Sequence, residues 1–325
     1  MCTRKIVCRS LVLAILLTFA LAQFAPLAAQ KKKEQASGTP VLWREPTDIS
    51  TRDLYYGPGG ALMQPDLKSL TFLEDEKGGY STKYRVRDAS GREWVAKVGK
   101  EAQSETAAVR LLWAVGYYTE INYLAPRAHI PGKGDFENVR FEARPENVKR
   151  LDEWKWKDNP FAWKKEMQGL IVMMALLNNW DIKDANNKIL RVKDEQTGES
   201  QLRYIISDLG ATFGKVKLDV PGFWRLARSR NKPGDFADSG FIEDVKKGQV
   251  YFFYKGKSQE LFDDIKISEA KWIGGWLSRL SDDQLTDAFR AANYSPAEIR
   301  VMRETVRARI NELVNLKEQQ SANRE

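Results

Sequence analysis

An apolar helix that leads directly into a charged loop limits the folds open to this chain. Residues Leu170 to Leu177 are Leu-Ile-Val-Met-Met-Ala-Leu-Leu, which is apolar on every side of a helix. A helix that is hydrophobic all round is stable only when protein surrounds it, so this segment predicts a buried central helix. The chain then enters the polar stretch Asn179 to Asn187, which carries Asp181, Lys183 and Asn186. We therefore expect these polar side chains to follow directly on the end of a buried element.

A second acidic residue follows a predicted hairpin. Two strand-like runs, Lys188 to Val192 and Leu202 to Ile206, flank a polar turn and lead into Asp208-Leu209-Gly210. An antiparallel hairpin brings its two ends to one edge, so Asn186 and Asp208 are expected close together. Amide and carboxylate oxygens are ligands that Mg²⁺ prefers. With Asp181 facing a nucleophile, this set provides the parts that phosphoryl transfer needs.

A lysine in the N-terminal third is a candidate phosphate-binding residue. Strand-like runs are predicted at Leu70 to Leu73, Thr82 to Arg87 and Glu93 to Val98. The third run carries Lys97 among apolar neighbours, and a lysine at such a position can point into a cleft and pair with phosphate oxygens. Gly78 and Gly79 lie in the turn between the first two runs. The alternative for Lys97 is a surface lysine on an edge strand.

A helix is predicted after the third strand. Ser104 to Gly116 has helical spacing and ends at a glycine. Glu105 is expected in its first turn, where a carboxylate is favourable against the helix dipole. The simplest interpretation of Glu105 is an acid that stabilises the start of a helix.

Together these motifs resemble those of the protein-kinase-like superfamily, over about Leu67 to Gly214. Val95-Ala96-Lys97 matches the third-strand lysine motif, and Gly78-Gly79 lies where the phosphate-covering loop would be. Asp181-Ile182-Lys183-Asp184-Ala185-Asn186 is similar to the D-[LI]-K-x-x-N part of the catalytic loop. Asp208-Leu209-Gly210 stands in place of D-F-G.

The resemblance implies a role for each matching residue. Asp181 would be the base or the orienter of an acceptor hydroxyl, and Lys183 would neutralise the transferring phosphoryl group. Asn186 and Asp208 would hold Mg²⁺. Lys97 would contact the phosphates of ATP, positioned by an ion pair with Glu105. Glu101 is a rival for that pairing.

The chain also departs from the common kinase pattern. The glycine loop lacks the full G-x-G-x-x-G, and Asn179-Trp180 replaces the His-Arg that commonly precedes the catalytic Asp. Only eight residues lead from Lys97 to Glu105. That short connection is closer to the lipid-kinase-like, HipA-like and secretory-pathway kinase branches than to typical eukaryotic protein kinases.

The predicted fold class is α+β, a two-lobed protein-kinase-like fold. Its N-lobe would be a small antiparallel sheet with one helix, and its C-lobe would be larger and mostly helical. The predicted boundaries are a signal peptide at 1–29, a polar lead and N-terminal extension at 30–66, the N-lobe at 67–144, the C-lobe at 145–316 and a polar tail at 317–325.

The first 29 residues have the pattern of a bacterial-type secretory signal peptide. Arg4, Lys5 and Arg9 precede an apolar core from Leu11 to Ala22. That core is shorter than the roughly 20 residues of a spanning helix, so we expect export to the periplasm or medium and no stable membrane span after cleavage.

Composition narrows the chemistry further. The only histidine is His129, and the two cysteines lie in the predicted signal peptide. A histidine-based triad, a two-histidine metal site and a cysteine nucleophile are therefore excluded from the mature chain. The formal charge of the 325 residues is +8, with acidic residues interspersed among the basic ones, so no nucleic-acid partner is expected.

The sequence thus predicts an ATP- and Mg²⁺-dependent phosphotransferase that acts on an unknown hydroxyl acceptor, a protein or a small molecule. ATP is scarce outside the cytoplasm, which keeps a catalytically inactive kinase-like binding module as an alternative. Nucleotidyl transfer on the same fold is another. The sequence does not specify the acceptor or the oligomeric state.

Overall fold

The computed structural model of this chain describes residues 37–78, 81–193, 198–219 and 225–317. The predicted signal peptide at 1–29 and the candidate residue Gly79 lie outside these ranges. Within them, no helix has both the length and the apolar character needed to cross a membrane.

The strands are β1 (Thr39–Val41), β2 (Thr71–Asp75), β3 (Lys83–Arg87), β4 (Glu93–Lys97), β5 (Asn122–Ile130), β6 (Gly134–Ala143), β7 (Val148–Arg150), β8 (Asn187–Lys193), β9 (Ser200–Ile206), β10 (Val216–Asp219), β11 (Arg225–Arg228), β12 (Ile242–Lys246) and β13 (Gln249–Phe252). The α-helices are α1 (Glu101–Ala114), α2 (Lys165–Leu176), α3 (Pro233–Ala237), α4 (Ile267–Leu277), α5 (Asp282–Arg290) and α6 (Pro296–Val314).

The N-terminal part is a five-stranded antiparallel sheet in the order β2-β3-β4-β6-β5. Side chains alternate between the two faces of a strand. On β4, Trp94 and Ala96 join an apolar cluster on one face, whereas Val95 and Lys97 point to the other. Strand β6, which pairs with β4, repeats this alternation. One face of the sheet is therefore a hydrophobic core, and the other carries charged groups.

The C-terminal part is built around α2, which is buried from Met167 to Leu176 as the sequence predicts. Helix α4 packs against α2, and α6 packs against α4, within the larger hydrophobic core. On α6, Met302, Val306 and Ile310 are fully buried at helical spacing. A small antiparallel sheet with one helix thus precedes a larger helical part, which confirms the predicted two-lobed α+β fold class.

The hairpin that leads to Asp208 is confirmed. Strands β8 and β9 pair antiparallel with Asn187 opposite Ile206, and the Ser207 N–H donates to the carbonyl of Asn186 at 2.7 Å. This register places Asn186 and Asp208 at the same edge. The sheet has the order β1-β9-β8-β7, and its β1 pairs parallel with β9. The sequence analysis assigned no strand to β1.

One local expectation was wrong. Helix α1 begins at Glu101, so Glu105 lies in its second turn and Glu101 occupies the first. Strands β12 and β13 form an antiparallel hairpin that turns at Lys247-Gly248. Strand β11 pairs antiparallel with β10.

Candidate active site

A cavity of about 630 Å³, named here the cleft, lies between the charged face of the N-terminal sheet and the loop after α2. Its lining includes six candidate residues: Lys97, Glu105, Asp181, Lys183, Asn186 and Asp208. They come from β4, α1, the loop after α2 and the segment after β9. The structure therefore brings together residues that the sequence keeps far apart.

Gly78 is a predicted site residue that does not line the cleft, although Glu76 and Lys83 on either side of its turn do. Its φ of +100° lies in the region that favours glycine. A Cβ built on Gly78 would meet no atom within 4 Å. The turn therefore needs glycine for its backbone conformation and not because of crowding.

Lys97 is the centre of an ion-pair cluster. Its Nζ atom lies 2.8 Å from Glu105 Oε2, 2.9 Å from Glu101 Oε2 and 3.4 Å from Asp208 Oδ1. The lysine is buried and lies on the central strand of the sheet. The alternative of a surface lysine on an edge strand is therefore excluded.

Glu101 and Glu105, which the sequence analysis treated as rivals, both contact Lys97. They are four residues apart on α1 and so project from the same face. Glu105 is the more deeply buried and also accepts a hydrogen bond from Arg140. Burial raises the pKa of Glu105, and the charges of Arg140 and Lys97 counteract that effect. Glu101 also accepts hydrogen bonds from Ser81 and Arg230.

A second ion-pair cluster, which was not predicted from the sequence, extends from Arg140 along β6. Arg140 pairs with Glu142, which in turn pairs with Arg144. Charged residues at every second position of an otherwise apolar strand, Val139 to Ala143, indicate a charged face of this strand, although not which face lines the cleft. This end of the cleft is consequently polar.

Glu120, which lies two residues before the start of β5, also belongs to this cluster. Its carboxylate pairs with Arg150 at 2.6 Å and accepts a hydrogen bond from Ser207 at 2.9 Å. Burial and the neighbouring Glu142 raise the pKa of Glu120 to about 7, against the attraction of Arg150. Ser207, the residue before Asp208, is thus hydrogen-bonded to the ion-pair cluster at the polar end of the cleft.

Asp181 is held from both sides by lysines. Its Oδ2 atom lies 3.0 Å from Lys183 Nζ, and its Oδ1 atom lies 2.6 Å from Lys257 Nζ. Partial burial opposes ionisation of Asp181, but the ammonium groups of Lys257 and Lys183 outweigh it and lower the pKa. Asp181 is therefore a carboxylate at neutral pH and a weak base.

The chemistry of Asn186 and Asp208 fits a magnesium ion. The Asn186 amide donates to the carbonyl of Asp181 at 2.8 Å, which leaves its Oδ1 atom available as a ligand. Asp208 accepts a hydrogen bond from the Gly210 N–H on Oδ1, and its side chain is 42% exposed. In the described ranges no group of three or more His, Cys, Asp or Glu side chains could hold a metal by itself. Mg²⁺ is commonly bound through one or two protein oxygens together with phosphates, which is the arrangement this pair permits.

Trp180, which precedes Asp181, anchors a basic segment beside the cleft. Its indole N–H donates to the carbonyl of Ser229 at 2.9 Å. The guanidinium groups of Arg228 and Arg230 lie 5.2 and 4.8 Å from its ring. These are cation–π distances. Trp180 therefore binds two arginines supplied by another segment.

No protein-family model matches the chain, and no curated protein does. Among solved structures, the chain is similar to the Helicobacter pylori proinflammatory kinase CtkA, with 10% identity, 77% of this chain and 94% of that chain covered, and a TM-score of 0.44. It is also similar to the Rio2 kinase from Chaetomium thermophilum, solved as an ADP/Mg²⁺-phosphoaspartate complex, with 14% identity, 74% and 72% covered, and a TM-score of 0.30. At these values neither likeness bears on function, which has to be argued from the residues of the cleft.

Proposed function

We propose that this chain is an ATP- and Mg²⁺-dependent phosphotransferase that acts on a hydroxyl acceptor. The observation that carries the proposal is the position of Lys97, whose ammonium lies between Glu105 and Asp208 in a cleft that Asp181 also lines. A cation fixed beside a candidate metal ligand and opposite a carboxylate is the arrangement that phosphoryl transfer needs. We also propose that the protein acts after export, with the nucleotide and the acceptor as its partners.

The proposed mechanism assigns one task to each side chain. Lys97 binds phosphate oxygens of ATP, while Asn186 and Asp208 hold the metal. Mg²⁺, when bound, neutralises charge on the phosphates. Asp181 accepts a hydrogen bond from the acceptor hydroxyl, whose oxygen forms the new bond to the γ-phosphorus as the bond to the β-phosphate oxygen breaks.

The low pKa of Asp181 bears on its task. A carboxylate that two ammonium groups stabilise is a poor acceptor for a proton early in the reaction. Phosphoryl transfer passes through a loose transition state in most analyses and needs little help from a base. Asp181 is therefore assigned the orientation of the hydroxyl, and it takes up the proton only as the new bond to phosphorus forms.

A thermal-shift titration with MgATP tests the proposal. The wild-type protein should be stabilised in a manner that requires both ATP and Mg²⁺, and Asp208→Ala should remove most of that stabilisation. Asp208 is a cleaner target than Lys97, because its side chain is half-exposed and its loss leaves little uncompensated charge. Asp244→Ala is the matched control, since Asp244 is a partly exposed acid, paired with Lys246 on the β12–β13 hairpin. Equal stabilisation of all three proteins would overturn the proposal.

The binding-module alternative has its own supporting observation. Three carboxylates surround Lys97, so a phosphate has to replace at least the 3.4 Å contact with Asp208. Such a module would give no transfer product with any hydroxyl acceptor. Mass analysis of products from ATP labelled separately in the γ-phosphate and in the adenosine distinguishes phosphoryl transfer from nucleotidyl transfer.

A further inference from the structure

A lysine from a distant part of the chain reaches the candidate catalytic carboxylate. Lys257 lies in the loop from Tyr254 to Ser258 that follows β13, and its Nζ atom is 2.6 Å from Asp181 Oδ1. Lys183 occupies the other carboxylate oxygen at 3.0 Å. The resemblance that identified Lys183 contains no counterpart of Lys257.

Three hydrogen bonds fix this loop in place. The Lys257 N–H donates to the carbonyl of Trp180, and the Ser258 hydroxyl donates to the carbonyl of Ile182. The Tyr254 hydroxyl donates to the carbonyl of Lys257, and the Tyr254 ring is buried against Phe262 at 4.2 Å. The loop is therefore bound to the residues on both sides of Asp181, through the backbone of Lys257 and the side chain of Ser258.

Gly256 permits the close approach of the two loops. A Cβ at this position would lie 2.6 Å from the Cα atom of Trp180 and 2.1 Å from the Tyr254 hydroxyl. Both are shorter than any van der Waals contact allows, and the first is with backbone. The loop would have to move away from Asp181 if any other residue stood here.

The balance of charge indicates what Lys257 can do. Two ammonium groups contact one carboxylate, which leaves one positive charge in excess at this point of the cleft. Both lysine side chains remain partly exposed, at 42% and 45%, whereas Asp181 is 17% exposed. A lysine ammonium on its flexible stem can exchange one anionic partner for another close by.

We propose that Lys257 is a further catalytic residue that contacts the transferring phosphoryl group. In the free protein the Lys257 ammonium forms an ion pair with Asp181. With ATP bound, it stabilises the negative charge of the transition state together with Lys183. This inference rests on the proposed phosphotransferase function. Electrostatic stabilisation of the transition state is usually the largest single contribution to catalysis.

The kinetic test compares Lys257→Ala with Lys255→Ala. Lys255 is an exposed lysine of the same loop that does not line the cleft, so its loss should leave turnover unchanged. Lys257→Ala should lower kcat by about 100-fold. Lys257→Arg, which keeps the charge, should recover part of that loss. Equal kcat for both alanine variants would overturn the role of Lys257.

A second measurement needs no nucleotide. Titration of the Asp181 carboxyl by ¹³C NMR, assigned with Asp181→Asn, should give a higher pKa in Lys257→Ala than in the wild type, and Lys255→Ala should give no change. Gly256→Ala should also raise the pKa of Asp181, because it moves the loop. Identical titration in the wild type and Lys257→Ala would overturn the contact itself.

The two proposals can fail separately. A wild-type protein that transfers phosphate while Lys257→Ala is equally active overturns only the assignment of Lys257. A wild-type protein that neither binds MgATP nor yields product overturns the proposed function, and the catalytic role of Lys257 falls with it. In that case the NMR titration still reports whether the ion pair with Asp181 exists.

Discussion

The Nζ atom of Lys97 lies 3.4 Å from Oδ1 of Asp208, although 111 positions separate the two residues in the sequence. The lysine is on the central strand of the N-terminal sheet, and the aspartate follows β9 of a different sheet. Their contact lies in the cleft and joins the two parts of the molecule. The same lysine is held by Glu101 and Glu105, so its position is fixed without any ligand.

Removal of this lysine should destabilise the fold. Lys97→Met leaves Glu101 and Glu105 buried with one cation fewer, so the free energy of unfolding should fall by about 3–5 kcal/mol. Adding Glu105→Gln should recover part of the loss, because one buried charge is then removed. Urea denaturation of the single and double variants measures both effects. Lys246→Met, which removes an exposed lysine and its ion pair with Asp244, is the control, and a loss in the control as large as in Lys97→Met would contradict the prediction.

Sequence reasoning could identify the cleft where short motifs carried the information. Lys97, Asp181, Asn186 and Asp208 each lie in a local pattern that also sets their surroundings: a strand alternation, the end of an apolar helix, or a hairpin register. These patterns depend on residues close in sequence. Once the N-terminal sheet and the C-terminal part are packed together, these local patterns place the four side chains in one cleft.

Lys257 and the β6 cluster could not be predicted in the same way. Lys257 depends on the packing of Gly256 against Trp180, a contact between distant loops that no periodicity encodes. Arg140 and Glu142 form a visible alternation, but the sequence does not say which face of β6 lines a cleft. Strand β1 depends on a parallel pairing with β9, which no local turn specifies.

Glu120 should make stability depend on pH. Its pKa is about 7 in the folded protein, whereas its ordinary value is 4.5. Between pH 4.5 and pH 7 the folded state therefore binds more protons than the unfolded state does. The contribution of this group is present below pH 4.5 and is lost as the pH rises through 7. The free energy of unfolding of the wild type should therefore fall by up to about 3 kcal/mol over this range on account of Glu120.

Glu120→Gln isolates this contribution. The variant should show a flatter dependence when urea denaturation is repeated at several values between about pH 5 and pH 8. Burial raises the pKa of Glu142, but Arg144 and Arg140 outweigh burial and lower it. The stability that Glu142 contributes is therefore lost only as the pH falls below its ordinary pKa of 4.5, outside the range from about pH 5 to pH 8. Glu105 is present in both proteins, so its effect cancels in the comparison. Parallel curves for the two proteins would contradict the raised pKa.

Trp180 should control the segment that carries Arg228 and Arg230. Trp180→Ala removes two cation–π contacts, each worth about 0.5–2 kcal/mol, and the hydrogen bond to Ser229. Amide hydrogen exchange should become faster across 225–230 in this variant. Trp163→Ala, which removes an indole that is 70% exposed, should leave exchange in this segment unchanged. If Trp180→Ala also left it unchanged, the anchoring role of Trp180 would be wrong.

Arg309 should be essential for the end of the central helix. This buried residue of α6 donates to the carbonyl of Leu176, the last residue of α2, at 2.7 Å and to the carbonyl of Ser239 at 3.0 Å. Its guanidinium also lies 4.1 Å from the ring of Phe236. Arg309→Met leaves these buried carbonyls without their charged donor, so the free energy of unfolding should fall by about 3 kcal/mol.

The effect of Arg309→Met should extend to the cleft, because the chain passes from Leu176 to Asp181 within five residues. Arg300→Met is the matched control, since Arg300 is an exposed arginine of the same helix. Urea denaturation should separate the two variants, and stabilisation by MgATP should be weaker only in Arg309→Met. A variant with lower stability but an unchanged response to MgATP would show that α2 supports the fold without positioning the loop that contains Asp181.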